Sequence, residues 1–184
     1  MERNKELLLS ELNSLPGLSS FKKEIEGIVD VFIANEERVR SGVKSDKFLR
    51  LVFSGNPGTG KSTAARILGG IYGELGVLSR GHFIEINRSD LVSGYSALTS
   101  AKMREAVSKA KGGVLFIDEA SSLSENTAEA AYEAIDTLLA LMKDNQDDVL
   151  FILAGYPDKM KEFLNSNAGL ASCFHIIAFD DDNF

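Results

Sequence analysis

The residues with the clearest chemical potential are the eight from Gly55 to Ser62, which read Gly-Asn-Pro-Gly-Thr-Gly-Lys-Ser. They match the pattern G-x-x-x-x-G-K-[ST] of a phosphate-binding loop. Glycines let backbone N–H groups turn towards a phosphate, the lysine places a cation on the β- and γ-phosphates, and the serine hydroxyl is a ligand for Mg²⁺. The alternative is a glycine-rich turn with a surface lysine. We predict nucleotide binding by Asn56, Pro57, Gly58, Thr59, Gly60, Lys61, Ser62 and Thr63, with Lys61 also catalytic.

Two adjacent acids supply the other half of such a site. Asp118 and Glu119 directly follow the apolar run Val114-Leu115-Phe116-Ile117. At the end of a buried strand, Asp118 would join Ser62 as a Mg²⁺ ligand and Glu119 would accept a proton from an attacking water. The alternative is a charge pair at a helix N-terminus. The pair favours hydrolysis over a small-molecule kinase, for which we find neither an acceptor site nor a lid.

Alternating strands and helices would position these residues. Short apolar runs are typical of strands buried on both faces of a parallel sheet, and segments with helical apolar spacing separate them. The predicted strands are 51–53, 83–86, 114–117, 149–153 and 176–179, and the predicted helices include 3–13, one after Ser19 or Ser20, and 62–72. This alternation predicts an α/β three-layer fold whose ligands bind at the carboxyl ends of the strands.

Length and charge exclude several classes of protein. The chain has 184 residues, 44% of them apolar, which suits one globular unit. Its formal net charge of -7 disfavours non-specific binding to nucleic acid. A single cysteine excludes an intramolecular disulfide, and no apolar run is long enough to span a membrane. The charged start is unlike a secretory signal, so we expect a cytoplasmic protein.

Several further segments, together with the two above, resemble those of the AAA+ ATPases. The chain is most similar to the group that contains red-type Rubisco activase, stage V sporulation protein K and the ATPase of type VII secretion. The segments that carry the resemblance are Leu15-Pro16-Gly17-Leu18, residues 51–62, Ser93-Gly94-Tyr95, residues 112–120 and Ile152-Leu153-Ala154-Gly155-Tyr156.

The resemblance implies a fold and an activity. The fold would be a P-loop NTPase sandwich whose five-stranded parallel sheet has the order 5-1-4-3-2. Members hydrolyse ATP with Mg²⁺ to remodel protein partners, usually as ring-shaped homo-hexamers. We therefore expect residues 1–184 to form the large α/β subdomain with N-terminal helices, without the C-terminal helical lid. A fragment of this kind could be monomeric.

The resemblance also assigns roles to four residues. Gly17 would lie beside the adenine, and Asn87, at the end of the second strand, would modulate the catalytic Glu119. Tyr95 would face the central pore and contact a protein partner. Tyr156 would lie where related proteins contact the γ-phosphate or water. The alternatives are a turn residue for Asn87, a loop tyrosine without a pore role for Tyr95, and a buried structural tyrosine for Tyr156.

Residue 173 departs from the family pattern, as do Ser96 and Ala97 beside Tyr95. Related proteins carry an Arg before the Phe at 174, where it acts on the ATP of a neighbouring subunit; here the residue is Cys173, and no Lys or Arg follows Lys161. A thiol does not replace a guanidinium, which supplies a factor of about 10³–10⁵ in rate where it operates. The alternative function is therefore an ATP-binding module with little turnover. His82 and His175 lack metal-ligand spacing, so we expect no metal other than Mg²⁺.

Overall fold

The computed structural model describes residues 2–15, 19–34, 49–91, 96–125, 128–145 and 148–179. Helices and strands alternate through most of these residues. In chain order the elements are α1 (Glu2–Ser14), α2 (Ser19–Ala34), β1 (Arg50–Gly55), α3 (Lys61–Glu74), β2 (Phe83–Ile86), α4 (Arg88–Leu91), α5 (Ser96–Ala110), β3 (Val114–Ile117), a 3₁₀ helix (Ala120–Glu125), α6 (Ala128–Asp144), β4 (Leu150–Gly155), α7 (Pro157–Asn165), α8 (Ala168–Cys173) and β5 (His175–Phe179).

The five strands in the described residues form one parallel sheet with the order β2-β3-β4-β1-β5. The same order, read from the other edge, is the 5-1-4-3-2 that the resemblance implies, so the predicted fold class is confirmed. In the register, Ser54 of β1 lies beside Gly155 of β4, and Ile117 of β3 lies beside Leu153. The carboxyl ends of β1, β3 and β4 therefore meet at one edge of the sheet, where a ligand binds in folds of this kind.

The three central strands are buried on both faces because their residues alternate between two cores. On one face, side chains such as Phe53, Phe116 and Ile152 pack against α1, α2 and α3. On the other face, Val52, Ile117 and Leu153 and their neighbours pack against α5, α6, α7 and the 3₁₀ helix. This three-layer packing fixes the sheet between two sets of helices and holds the strand ends rigid.

The N-terminal helices complete the first of these layers. Phe21, Ile25, Ile28 and Val29 of α2 are buried there. The ring of Phe21 lies 5.5 Å from that of Phe53 and 4.9 Å from that of Phe179. Burying an aromatic side chain of this size contributes about 1.5–3 kcal/mol. No helix within the described residues is both long enough and apolar enough to cross a membrane.

Candidate functional site

The glycine-rich loop begins where β1 meets β5. Gly55 is the last residue of β1, and a Cβ added to it would lie 2.7 Å from the Cβ and 2.8 Å from the carbonyl oxygen of Phe179. Contacts this short leave no room for a side chain, so only glycine allows the two strands to approach here. The loop consequently leaves the sheet with its backbone exposed to the space above the strand ends.

Two further glycines turn the loop into α3. Gly58 and Gly60 have φ angles of 76° and 84°, which lie in the left-handed region that side chains disfavour. Gly60 is the N-cap of α3, and the first turn of that helix has no acidic residue. The first N–H groups of a helix have no acceptor within it and carry the positive end of the helix dipole. The loop therefore presents an anion-binding helix end.

The ammonium group of Lys61 lies on the loop itself. Its Nζ donates hydrogen bonds to the carbonyl oxygens of Gly55, at 2.7 Å, and Asn56, at 2.8 Å. The hydroxyl of Thr59 donates to the same Asn56 carbonyl at 2.8 Å. These bonds hold a cation over the loop backbone and fix the loop's shape.

The acidic pair lies beyond the end of β3. The N–H of Asp118 donates to the carbonyl of Ile86 at 3.1 Å, which extends the pairing with β2 by one residue. The Asp118 carboxylate accepts the N–H of Glu119 at 2.9 Å. The chain then turns sharply, since Glu119 has a φ of 49°.

The loop and the acidic pair share one cavity of about 320 Å³. It also reaches the end of β4, so three strand ends contribute to it. Its lining residues are Gly55, Pro57, Gly58, Thr59, Gly60, Lys61, Ser62, Thr63, Phe116, Asp118, Glu119, Gly155 and Tyr156. The structure thus brings together Lys61, Ser62, Asp118 and Glu119, as their spacing along the sequence predicts. Asn56 contributes its carbonyl to the loop but does not line the cavity.

A third acidic residue lies near Asp118. Glu85 of β2 pairs in register with Phe116, two residues before Asp118, and so shares the α3 face of the sheet with both. Partial burial raises the pKa of Glu85, the charge of Asp118 raises it further, and the charge of Arg66 on α3 lowers it. The Arg66 guanidinium lies 4.2 Å from the ring centroid of Phe83, the preceding residue on that face.

Comparison with known families identifies the fold's relatives. A model of the ATPase family associated with various cellular activities (AAA) matches residues 51–176. The chain belongs to the AAA family of ATPases. The predicted family is therefore confirmed.

Three curated relatives show how much of an AAA protein the chain covers. It is 44% identical to stage V sporulation protein K of Bacillus subtilis over 174 residues, which are 93% of this chain and 54% of that protein. It is 40% identical to protein CbbX of Cereibacter sphaeroides (95% and 58%). It is 42% identical to the chloroplastic ribulose bisphosphate carboxylase/oxygenase activase of Cyanidioschyzon merolae (86% and 55%). The chain spans about half the length of the curated relatives it matches.

The four residues whose roles come only from the resemblance lie in different places in this AAA family member. Gly17 and Tyr95 lie outside the described residues. Asn87 is exposed just after β2, where its N–H donates to the Asp90 carboxylate at 3.3 Å, and it does not line the cavity. Tyr156 lines the cavity and is 39% exposed, so it is not the buried structural tyrosine of the alternative interpretation.

Other residues at the site were not predicted. Phe116 lines the cavity because it shares a sheet face with Asp118, and strict alternation along β3 could have indicated this. Gly155 lines it because β4 ends beside β1. Glu85 carries no motif, and only the register of β2 with β3 places it near Asp118.

Cys173, where the resemblance implies an Arg, is the last residue of α8. Its thiol is half-buried and packs against the second apolar core. It does not line the cavity of about 320 Å³. The side chain therefore behaves as a small apolar group at the margin of the core.

Proposed function

We propose that this chain is the nucleotide-binding α/β subdomain of an AAA protein and hydrolyses ATP to ADP and phosphate with Mg²⁺. The observation that carries the proposal is the shared cavity, which Lys61, Ser62, Asp118 and Glu119 line together. A phosphate-binding helix end, a cation, a hydroxyl and two carboxylates are the groups that the hydrolysis of a phosphoanhydride requires.

The phosphates would lie along the loop. Backbone N–H groups of residues 58–63 and the N-terminus of α3 would bind the β- and γ-phosphates. The Lys61 ammonium would neutralise part of their charge, exchanging its carbonyl acceptors at Gly55 and Asn56 for phosphate oxygens. By resemblance, Gly17 would lie beside the adenine.

The residues present fit a magnesium ion. The Ser62 hydroxyl and the Asp118 carboxylate line the same cavity, and both are the hard oxygen ligands that Mg²⁺ prefers. Among the described residues, no group of three or more His, Cys, Asp or Glu side chains could hold a metal without further ligands. Binding of the ion would thus depend on phosphate oxygens. When bound, Mg²⁺ would neutralise charge on the phosphates.

Glu119 would act as the general base. Its carboxylate would accept a proton from a water molecule while the water oxygen bonds to the γ-phosphorus and the bond to ADP breaks. The carboxylate of the neighbouring Asp118 accepts a hydrogen bond from the Glu119 N–H. By resemblance, Asn87 would modulate Glu119 and Tyr156 would contact the γ-phosphate or the water.

A protein would be the partner of this activity. One relative is named for activating ribulose bisphosphate carboxylase/oxygenase and another for a stage of sporulation. The two names therefore refer to different cellular processes. We propose that ATP turnover drives the remodelling or assembly of a protein, with Tyr95 contacting it, in a homo-hexameric ring of the full-length protein.

Two substitutions test the proposal. Lys61→Ala should abolish binding of ATP, because the loop loses its cation. The fold should be retained, because the loop keeps its glycines. Glu119→Gln should bind ATP normally but release phosphate at least about 100-fold more slowly, since general-base catalysis contributes 10²–10⁴-fold. Nucleotide titration and steady-state phosphate release, with circular dichroism as a check on folding, measure both effects. Unchanged ATP affinity in Lys61→Ala would refute the site.

A second candidate function is ATP binding with little turnover. It is favoured by Cys173, which packs against the core at the position where the resemblance implies an Arg. The same assay separates the two candidates. If the wild type and Glu119→Gln bind ATP equally and release phosphate equally slowly, the chain is a binding module and not an active hydrolase.

A further inference from the structure

The cavity has more negative than positive charge before any nucleotide binds. Its lining contains one ammonium group, that of Lys61, and two carboxylates, those of Asp118 and Glu119. A triphosphate adds further negative charge, and more of it develops on the terminal phosphate during hydrolysis. A cation near the terminal phosphate, in addition to Lys61, would therefore favour binding of the triphosphate over the diphosphate.

Lys159 is placed to supply that cation. Helix α7 begins at Pro157, directly after the end of β4, and Tyr156 is its N-cap. Lys159 follows Tyr156 by three residues, so the two side chains lie on the same side of the first turn. The Lys159 Nζ lies 5.5 Å from the centroid of the Tyr156 ring, and that ring lines the cavity.

No carboxylate competes for this ammonium group in the described part of the chain. Lys159 forms no ion pair with any described residue. Glu125 and Glu162 line the same surface groove of about 280 Å³ as Lys159, but neither is paired with it. A ring face attracts a cation without neutralising it. The charge of Lys159 is consequently available to a phosphate.

The other groups near the end of the chain do not offer this charge. Cys173 has no cationic group and packs against the core. Lys161 is the last Lys or Arg of the sequence. It is exposed two residues beyond Lys159, on a different side of α7, and it lines neither the cavity nor the groove. Lys161 is therefore a natural control for Lys159.

We propose that Lys159, held on the ring of Tyr156, is a binding residue for the terminal phosphate of ATP within the same chain. This inference rests on the proposed function, because it assigns a further contact to the same nucleotide. As the triphosphate binds, the Lys159 side chain would extend and its ammonium group would move from the ring face to the phosphate oxygens. It would thus make the site prefer ATP to ADP.

The test compares Lys159→Gln with Lys161→Gln, using Mg²⁺–ATP and Mg²⁺–ADP as separate titrants. Lys159→Gln should weaken ATP binding by about threefold to tenfold, the range expected for one partly exposed charge-assisted contact, and leave ADP binding within about twofold. Lys161→Gln should change neither affinity. Lys159→Arg should keep the preference for ATP, and Lys159→Glu should weaken ATP binding more than Lys159→Gln does. Raising the salt concentration should reduce the difference.

The outcomes separate this inference from the proposed function. If wild type binds ATP and Lys159→Gln keeps its ratio of ATP to ADP affinity, the assignment of Lys159 is wrong and the proposed function stands. An equal loss in Lys161→Gln also overturns it, because the effect would then be a general one of net charge. If the wild type binds neither nucleotide, both proposals fail.

Discussion

The backbone of Glu119 is strained at the residue that we propose as the general base. Among the described residues, Glu119 is the one non-glycine residue with a positive φ, at 49°. A left-handed conformation costs a residue with a side chain roughly 1–2 kcal/mol. Such strain persists only where the surrounding structure imposes it, and it is concentrated at functional sites. Here the strained residue lines the cavity.

Replacing Glu119 by glycine should therefore be less harmful to stability than replacing it by alanine. Both variants lack the carboxylate, so they differ in the backbone and in one methyl group. The free energy of unfolding should be about 1 kcal/mol higher for Glu119→Gly than for Glu119→Ala, because glycine adopts this φ without strain. Urea denaturation measures the difference. A more stable alanine variant would show that the turn is not strained.

Glu85 should make stability depend on pH in a specific direction. Burial and the charge of Asp118 raise its pKa above the ordinary value of 4.5, so the folded chain holds the proton more tightly than the unfolded chain does. Ionising Glu85 therefore costs stability as the pH rises through this raised pKa, and the cost is absent below about 4.5, the unfolded value.

Glu85→Gln removes that cost. The variant should be more stable than the wild type at pH 7, and the advantage should shrink towards pH 4, where the wild-type carboxyl is protonated. Thermal unfolding of the nucleotide-free chain across this range measures the trend. The matched change Glu26→Gln, on the exposed side of α2, serves as the control. A constant advantage at every pH would contradict the explanation.

Helix α3 packs closely against the segment that leads into β2. A Cβ added to Gly73 would lie 2.8 Å from the carbonyl oxygen of Arg80, and one added to Gly69 would lie 2.6 Å from a methyl group of Val114. The glycines therefore let the phosphate-binding helix pack directly on the backbone and on β3. By contrast, a Cβ added to Gly27 of α2 would have no atom within 4 Å.

The same substitution should consequently have opposite effects in two helices. Gly27→Ala should stabilise the fold by about 0.5–1 kcal/mol, the advantage of alanine over glycine inside a helix. Gly73→Ala should destabilise it by about 1–3 kcal/mol in spite of that advantage, because its methyl group overlaps backbone that has to move. Denaturant midpoints measure both effects. Similar shifts in the two variants would mean that α3 can move away from residues 80–81.

Elements differed in how well the sequence predicts them. The strands were predictable because burial on both faces requires uninterrupted apolar runs, and the structure has strands at all five predicted positions, with β2 and β3 at the predicted bounds. The short helices α7 and α8 were not predicted, since a helix of nine or six residues shows few turns of apolar spacing. Pro157 at the start of α7 was the available signal.

The order of the strands in the sheet explains which parts of the site could be predicted from the sequence. The glycine loop and the acidic pair lie far apart in the sequence. Their proximity in the fold was predictable only because each follows a strand and parallel strands end at the same edge of the sheet. Glu85 and Lys159 have no motif. Their places depend on the β2–β3 register and on the direction in which α7 leaves β4, which the residue pattern does not specify.

Because the cavity joins three strand ends, a bound nucleotide should stabilise the whole fold. A ligand that binds only the folded chain adds about 2.7 kcal/mol at 100 times its Kd, which corresponds to a rise in Tm of about 5–10 °C for a chain of this size. We expect this rise for wild type with Mg²⁺–ATP, a smaller one when a chelator removes Mg²⁺, and none for Lys61→Ala. Differential scanning calorimetry measures all three. An equal rise in Lys61→Ala would place the nucleotide outside the cavity between β1, β3 and β4, because the Lys61 ammonium lies on the loop that lines it.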